Sequence, residues 1–196
     1  MPTKFLPYTT SLPLFQAFSI LSFSNFVRYY NYSHPIEVAM QLAEFIAEEA
    51  PKLYTAVMLQ AALLHDTIED TELTEEMINS IFGQEVATHV EGLTRVKPYG
   101  KISAEESLDL LIEQKRYSTA LIKLFDRIHN LQTLGAKSPE KAKKIIKETL
   151  IHFISFATYL EIPILTNYLI ELCHENLGII DSKPVQRNIF VNIFSF

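Results

Sequence analysis

Little in this chain suits a disulfide-built, strand-rich or nucleic-acid-binding protein. A single cysteine, Cys173, excludes an intramolecular disulfide and fits a reducing compartment. We therefore expect a cytoplasmic protein with Cys173 buried as a small apolar residue. Only five glycines occur, and apolar residues recur mostly at three and four residue intervals, which favours helices over strands. Cations are in the minority, 17 Lys and Arg against 23 Asp and Glu for a formal charge of −6, so the footprint of a general nucleic-acid binder is missing. An anionic ligand must then be held by a local cluster of cations. No hydrophobic run is long enough for a secure membrane span. The stretch Leu12 to Val27 is uncharged, but Ser and Gln interrupt it and no Ala-x-Ala-like cleavage site follows, so a core-packing or loosely docked helix is expected and no membrane association is assigned. Repeats and low-complexity segments are absent.

What is present is a series of helical signals and enough apolar residues, 48%, for one substantial core. The first clear helix begins near Pro35, with Ile36, Ala39, Met40, Ala43, Ile46 and Ala47 on one face. The next is expected from Pro51 to about His65, and its segment Ala56 to Leu64 is apolar except for Gln60, which predicts a central, buried helix. Thr74 followed by Glu75 and Glu76 reads as an N-cap with acids complementing the helix dipole, and Gly83 can end that helix. Another helix is expected over about Gln84 to Arg95, then a loop from Val96 to Ile102. Ser103 and Glu106 form a capping-box pattern opening a helix from Ala104 to about Lys115. Helices from Ser118 to Leu134, from Ser138-Pro139 to about Leu160, and from Pro163 to Leu177 with Gly178 complete an all-α chain. We divide it into an uncertain N-terminal segment 1–32, one helical domain 33–178 and a tail 179–196.

The segment Leu63-Leu64-His65-Asp66-Thr67-Ile68-Glu69-Asp70-Thr71 carries the strongest chemical signal, because four ionisable groups follow the most apolar helix of the chain. Buried carboxylates need a cation or hydrogen bonds, and a divalent metal is the largest local charge available. Adjacent helical residues point about 100° apart, so His65 and Asp66 can converge on an ion between them. If the turn continues, Glu69 stands over His65 and Asp70 over Asp66. A second segment, Lys123 to Thr133, places Asp126, Asn130 and Thr133 on one helix face, with Lys123 and Arg127 as an i, i+4 pair at its border suited to phosphate oxygens. His34 opens a helix in Ser33-His34-Pro35, and neutral imidazole with carboxylates suits a first-row divalent ion.

On these stretches, together with Phe82-Gly83-Gln84-Glu85-Val86-Ala87 and Ala157-Thr158-Tyr159-Leu160-Glu161-Ile162, the chain resembles the HD-domain hydrolases of the RelA/SpoT family, which degrade guanosine tetraphosphate. The resemblance covers about Ser33 to Ile162 and implies an HD-domain helical bundle. It also implies one manganese ion held by His34, His65, Asp66 and Asp126, a catalytic acid pair in Glu69 and Asp70, and a nucleotide site lined by Asn130 and Thr133. The expected reaction is hydrolysis of guanosine 3′,5′-bis(diphosphate) to GDP and pyrophosphate, with Lys123 and Arg127 offsetting phosphate charge. Upstream of His34 the pattern departs: the family's basic Arg-Lys-Ser-Gly loop is missing, and Arg28 is the only cation between Ser22 and Ser33. Either Arg28 is its substitute in substrate binding, or the N-terminal portion is a degenerate remnant of the family's first helix. The family's synthetase domain is expected to be absent, leaving a small-molecule nucleotide as partner; the oligomeric state is not legible.

Two other readings stand beside this one. An HD phosphohydrolase acting on a different nucleotide is compatible with the altered loop, and so is a catalytically silent ligand-binding module, although the intact Glu69-Asp70 pair argues against the latter. His89, His152 and His174 are expected to be surface or satisfied core residues, with His129 no direct ligand. Phe153, Phe156, Tyr159 and Leu160 are expected to pack in the core.

Overall fold

Helix α1, Ser33–Glu49, buries Pro35, Val38, Ala39, Leu42, Phe45 and Ile46. The expected face was rotated from this one: Met40 is 51% exposed and Ala47 is turned outward. The bulky stripe of Val38, Leu42, Phe45 and Ile46 offers more apolar area than the alanine-rich alternative, and burying each such side chain gains roughly 1.5–3 kcal/mol. The structure, a computed structural model, describes residues 33–49 and 55–178. The expectations for Leu12 to Val27, for Arg28, for a helix start at Pro51 and for the tail 179–196 lie outside those residues. The described residues fall into two compact units divided between Lys123 and Leu124, inside a region read from sequence as one domain.

In the first unit, α2, Ala56–Leu64, starts where Thr55 adopts an extended backbone and its side chain accepts from the Met58 amide. Met58 to Leu64 are all buried, as the absence of a polar face requires. The helix is covered on one side by α1 and on another by α5, Gln84–Leu93. Between them come α3, Thr67–Asp70, and α4, Glu75–Phe82, the latter capped by Thr74 and ended by Gly83 at φ 90°, a conformation that favours glycine. After α5 the chain forms a small antiparallel pair, β1 Val96–Lys97 and β2 Gly100–Lys101, in which Val96 faces Lys101 and Lys97 faces Gly100. The loop expected here is therefore a hairpin. Helix α6, Ala104–Glu113, begins with the Ser103/Glu106 capping box, and α7, Tyr117–Gln132, carries the division between the units.

The second unit starts in α7 and continues through a 3-10 turn, Leu134–Ala136, to α8, Pro139–Glu148, opened by Ser138. A π-helical turn, Thr149–Phe153, leads into α9, Ile154–Tyr159, and the last helix among the described residues, α10, runs from Pro163 to Leu177 and closes on Gly178 at φ 65°. The sequence periodicity from Ser138 to Leu160 gives no sign of the π turn. One extra residue in a turn advances the buried face by about 100°. Phe153 and Phe156 are buried as expected, but Tyr159 is 61% exposed. Within this unit the guanidinium of Arg127 lies 4.2 Å over the Phe153 ring and pairs with Glu148 at 3.1 Å.

Cys173 is fully buried in α10, and burial pushes its thiol up to about 11 against a partial lowering by Arg127. A raised thiol pKa disfavours the thiolate, the reactive form. Native protein at pH 8 is therefore expected to take up no iodoacetamide over an hour, whereas protein in denaturant takes up one equivalent. Mass spectrometry reads the difference, and native labelling would contradict the burial.

Candidate metal centre

The apolar α2 ends by delivering His65 and Asp66 into a break between two helical stretches. His65 keeps helical angles, φ −57° and ψ −33°, while Asp66 moves to φ −96° and ψ −3°, and Thr67 restarts the turn. The restart is held by the Thr67 hydroxyl donating to the Leu64 carbonyl at 2.6 Å and the Asp70 amide donating to the Asp66 carbonyl at 2.9 Å. His65 is 4% exposed and its Nδ1 lies 2.7 Å from the Ala62 carbonyl. A carbonyl only accepts, so Nδ1 carries the proton and Nε2 is the ring nitrogen turned toward His34 and Asp66 as a candidate ligand atom.

His34, on the first turn of α1, brings its Nε2 to 3.1 Å from the His65 Nε2 and 3.6 Å from Asp66 Oδ2. Asp66 Oδ2 is 3.1 Å from His65 Nε2. The two rings meet edge to face with centroids 4.9 Å apart. Three lone-pair-bearing atoms thus lie within 4.8 Å of one another, from residues 31 or 32 positions apart and from neighbours in the chain. Such a cluster requires a proton or a cation among its members. Two imidazole nitrogens and one carboxylate oxygen are a donor set suited to a first-row divalent ion, and the Ala62 carbonyl supplies the outer hydrogen bond that orients one ring.

The acid pair separates in environment. Glu69 has a side chain only 8% exposed and accepts from the Arg95 amide at 2.7 Å and from the Arg95 guanidinium at 3.4 Å, with Lys101 Nζ at 2.8 Å. Burial acts to raise its pKa, but the hydrogen bonds and charges of Lys101 and Arg95 outweigh it and hold the carboxyl below its ordinary 4.5. A lowered folded value means that the stability this group contributes is fully present above about 4.5 and is lost as pH falls through the depressed value. Asp70, more exposed, is pushed up from its ordinary value by burial and then by the negative charges of Asp66 and Glu69. Arg95 and Lys101 were not singled out from the sequence. Pro98 and Gly100 did carry the signal, since Pro at the second and Gly at the fourth position mark a tight turn that returns Lys101 beside the strand following Arg95.

The remaining expected site residues divide between the units. Lys123, in the first, is 5% exposed and donates to the Leu93 carbonyl at 3.2 Å. In the second, the Asp126 carboxylate is held by Asn130 Nδ2 at 2.6 Å, the amide also reaching the Asp126 carbonyl at 2.9 Å. The Thr133 hydroxyl donates to the His129 carbonyl at 2.9 Å. Arg127 is buried against Glu148 and Phe153. Both Lys123 and Arg127, the i, i+4 pair read from the sequence as suited to phosphate oxygens, are thus buried side chains. His89 meets Thr119 at 2.7 Å, the satisfied arrangement expected of it.

With this geometry in place, the pattern of the HD domain matches residues 30–162. The chain belongs to the HD-domain family. Its HD domain is 36% identical over 136 residues to a probable guanosine-3′,5′-bis(diphosphate) 3′-pyrophosphohydrolase of Synechocystis, covering 66% of this chain and 17% of that one. It is 36% identical over 146 residues to a guanosine-3′,5′-bis(diphosphate) 3′-pyrophosphohydrolase of Haemophilus influenzae, covering 71% and 20%. It is also 39% identical over 125 residues to a GTP pyrophosphokinase of Brucella ovis, covering 61% and 16%. The chain thus matches at most about a fifth of the length of these relatives. A solved metazoan protein, described as an ortholog of SpoT that hydrolyses ppGpp and plays a role in starvation responses, superposes with a TM-score of 0.55 over 91% of this chain and 100% of that one. At 22% identity this likeness concerns the fold. Among the described residues no helix is long and apolar enough to cross a membrane.

Proposed function

We propose that this HD domain hydrolyses guanosine 3′,5′-bis(diphosphate) at the 3′ position, releasing pyrophosphate and leaving GDP, with manganese as its metal. The observation that carries the reading is the convergence of His34 Nε2, His65 Nε2 and Asp66 Oδ2 within 4.8 Å. It is supported by relatives in Synechocystis and Haemophilus influenzae whose names state that reaction. Asp126 is proposed as the fourth ligand on its place in the Asp126-Arg127-Ile128-His129-Asn130 motif, and the Asn130 amide fixes its carboxylate. A divalent ion held there would acidify water and polarise a phosphoryl oxygen. The residues of the chain orient that chemistry. His65, oriented by the Ala62 carbonyl, turns Nε2 to the centre, and Asp66 contributes negative charge that offsets the charge of a bound cation. Glu69 and Asp70 adjoin the centre one turn on, and Asn130 and Thr133 line the proposed nucleotide site by their match to the family pattern. Arg28 is proposed as the substrate cation upstream of His34.

The test is pyrophosphate release from the metal-stripped protein with and without manganese, across guanosine tetraphosphate and nucleoside mono-, di- and triphosphates. Release from guanosine tetraphosphate alone, restored by manganese and removed by chelator, is the expected result. Preference for another nucleotide would move the assignment to a different HD phosphohydrolase, and binding without turnover would make the domain a silent ligand module. Metal binding is read separately from activity. Free manganese at about 100 times its Kd should raise unfolding stability by about 2.7 kcal/mol, measured in denaturant. No stabilisation by manganese or any other divalent ion would contradict the metal centre.

A further inference from the structure

A cavity of about 260 Å³ is lined by the end of α5, the β1–β2 hairpin, α6 and the residues that follow it, and by none of His34, His65 and Asp66. Its volume is roughly that of nine water molecules in the liquid, more than a bare ion needs. It lies just under the usual range for small-molecule pockets, about 300–1,000 Å³.

One part of the lining is a charged trio. Lys97 Nζ donates to the Glu91 carbonyl at 3.1 Å and to Glu91 Oε1 at 2.6 Å, and Arg116 Nη1 reaches Glu91 Oε2 at 3.3 Å. Arg116 also donates to the Gln114 side-chain oxygen at 3.3 Å and to the Thr88 carbonyl. Its guanidinium lies against Gly92, where any Cβ would collide with it. Glycine inside a helix costs stability relative to alanine, and here it makes room for the cation. Burial acts to raise the pKa of Glu91, but Lys97 and Arg116 outweigh it and hold the carboxyl below its ordinary 4.5. At neutral pH the trio therefore carries positive charge in excess. The bonds named do not use all the N–H groups of an ammonium and a guanidinium, so both cations keep donors to spare.

Helix α6 adds Ser107, which is 2% exposed and whose Oγ has no hydrogen-bond partner among the described residues. Buried hydroxyls are ordinarily bonded, and a serine inside a helix usually donates to the preceding turn or faces solvent. Ser107 does neither. Leu110, Leu111 and Tyr99 contribute apolar surface to the same cavity.

We propose that this cavity binds a small organic carboxylate with an apolar body, the carboxylate held by Ser107, Lys97 and Arg116 and the body by Leu110, Leu111 and Tyr99. A carboxylate only accepts, which suits a lining whose uncommitted groups are donors. The excess positive charge favours an anion over a neutral compound of the same shape. Built wholly from residues 88–116, the site is independent of the reaction at the metal centre.

Benzoate is the probe, titrated into the whole chain and followed by NMR of the backbone amides. Saturable shifts are expected at Gly92, Tyr99, Ser107 and Arg116, with a Kd of about 1 mM or tighter, within reach of so small a ligand. Benzamide, neutral and of similar shape, and acetate, which lacks the ring, should each bind at least about tenfold more weakly. Ser107→Ala should weaken benzoate binding about tenfold and leave the urea midpoint unchanged or raised, because it removes no bond of the folded chain. Arg116→Gln should weaken binding at least as much; should that variant fail to fold, Ser107→Ala decides. Shifts that are scattered over the chain or do not saturate overturn the site. Benzamide or acetate binding as tightly as benzoate overturns the ligand class. Undiminished binding in the substituted chains, or a lowered midpoint in Ser107→Ala, overturns the assigned contacts.

Discussion

Asp66→Ala is expected to lower manganese-dependent pyrophosphate release from guanosine tetraphosphate by on the order of 10³-fold, the scale of losing a group that stabilises charge in the transition state. Asp66 supplies the carboxylate oxygen of the cluster, 3.1 Å from His65 Nε2 and 3.6 Å from His34 Nε2. Without it, the cluster of His34, His65 and Asp66 loses its carboxylate and keeps only its two imidazole nitrogens. The side chain is 38% exposed, so the fold should tolerate the change within about 0.5 kcal/mol. Calorimetry with manganese should show weakened binding in the same variant. Undiminished release would rule the metal assignment out.

Arg127→Met is the second large effect, and it falls on stability. The Arg127 and Glu148 side chains are 7% and 14% exposed and pair at 3.1 Å, with the guanidinium on the Phe153 ring. Removing one partner leaves a buried, uncompensated charge, which costs about 3–5 kcal/mol. Adding Glu148→Met should recover most of that loss, because well-packed apolar residues can replace a buried pair at little cost. Unfolding in urea measures both variants. A change below about 0.5 kcal/mol in Arg127→Met, together with a raised KM for the nucleotide, would instead assign Arg127 to the phosphates, as the sequence spacing suggested.

The helices were legible because their signals are local. Thr74, the Ser103/Glu106 capping box, Ser138-Pro139 and Gly178 all cap helices as expected. The all-round apolar character of Ala56 to Leu64 likewise predicted its central place. Less legible were features that depend on distant partners. The face of α1 was misplaced because alanine-rich and bulky stripes share a period, and only packing against α2 decides between them. The π turn at Thr149–Phe153 leaves no mark in composition and turns Tyr159 outward. For the site, His65-Asp66 stood out because ionisable groups at the end of an apolar helix need a partner. His34 offered only its residue type as a signal until the resemblance was drawn, since nothing local ties Ser33-His34-Pro35 to a residue 31 positions away. The burial of Lys123 and Arg127 was not legible, because i, i+4 spacing reports a shared helix face and says nothing of depth.

The most direct test is anomalous diffraction at the manganese absorption edge from crystals grown with manganese. One peak within bonding distance of His34 Nε2, His65 Nε2 and Asp66 Oδ2 is the result expected. Crystals with manganese elsewhere, or with His34 turned away from His65 and Asp66, would contradict the proposed centre and the hydrolysis built on it.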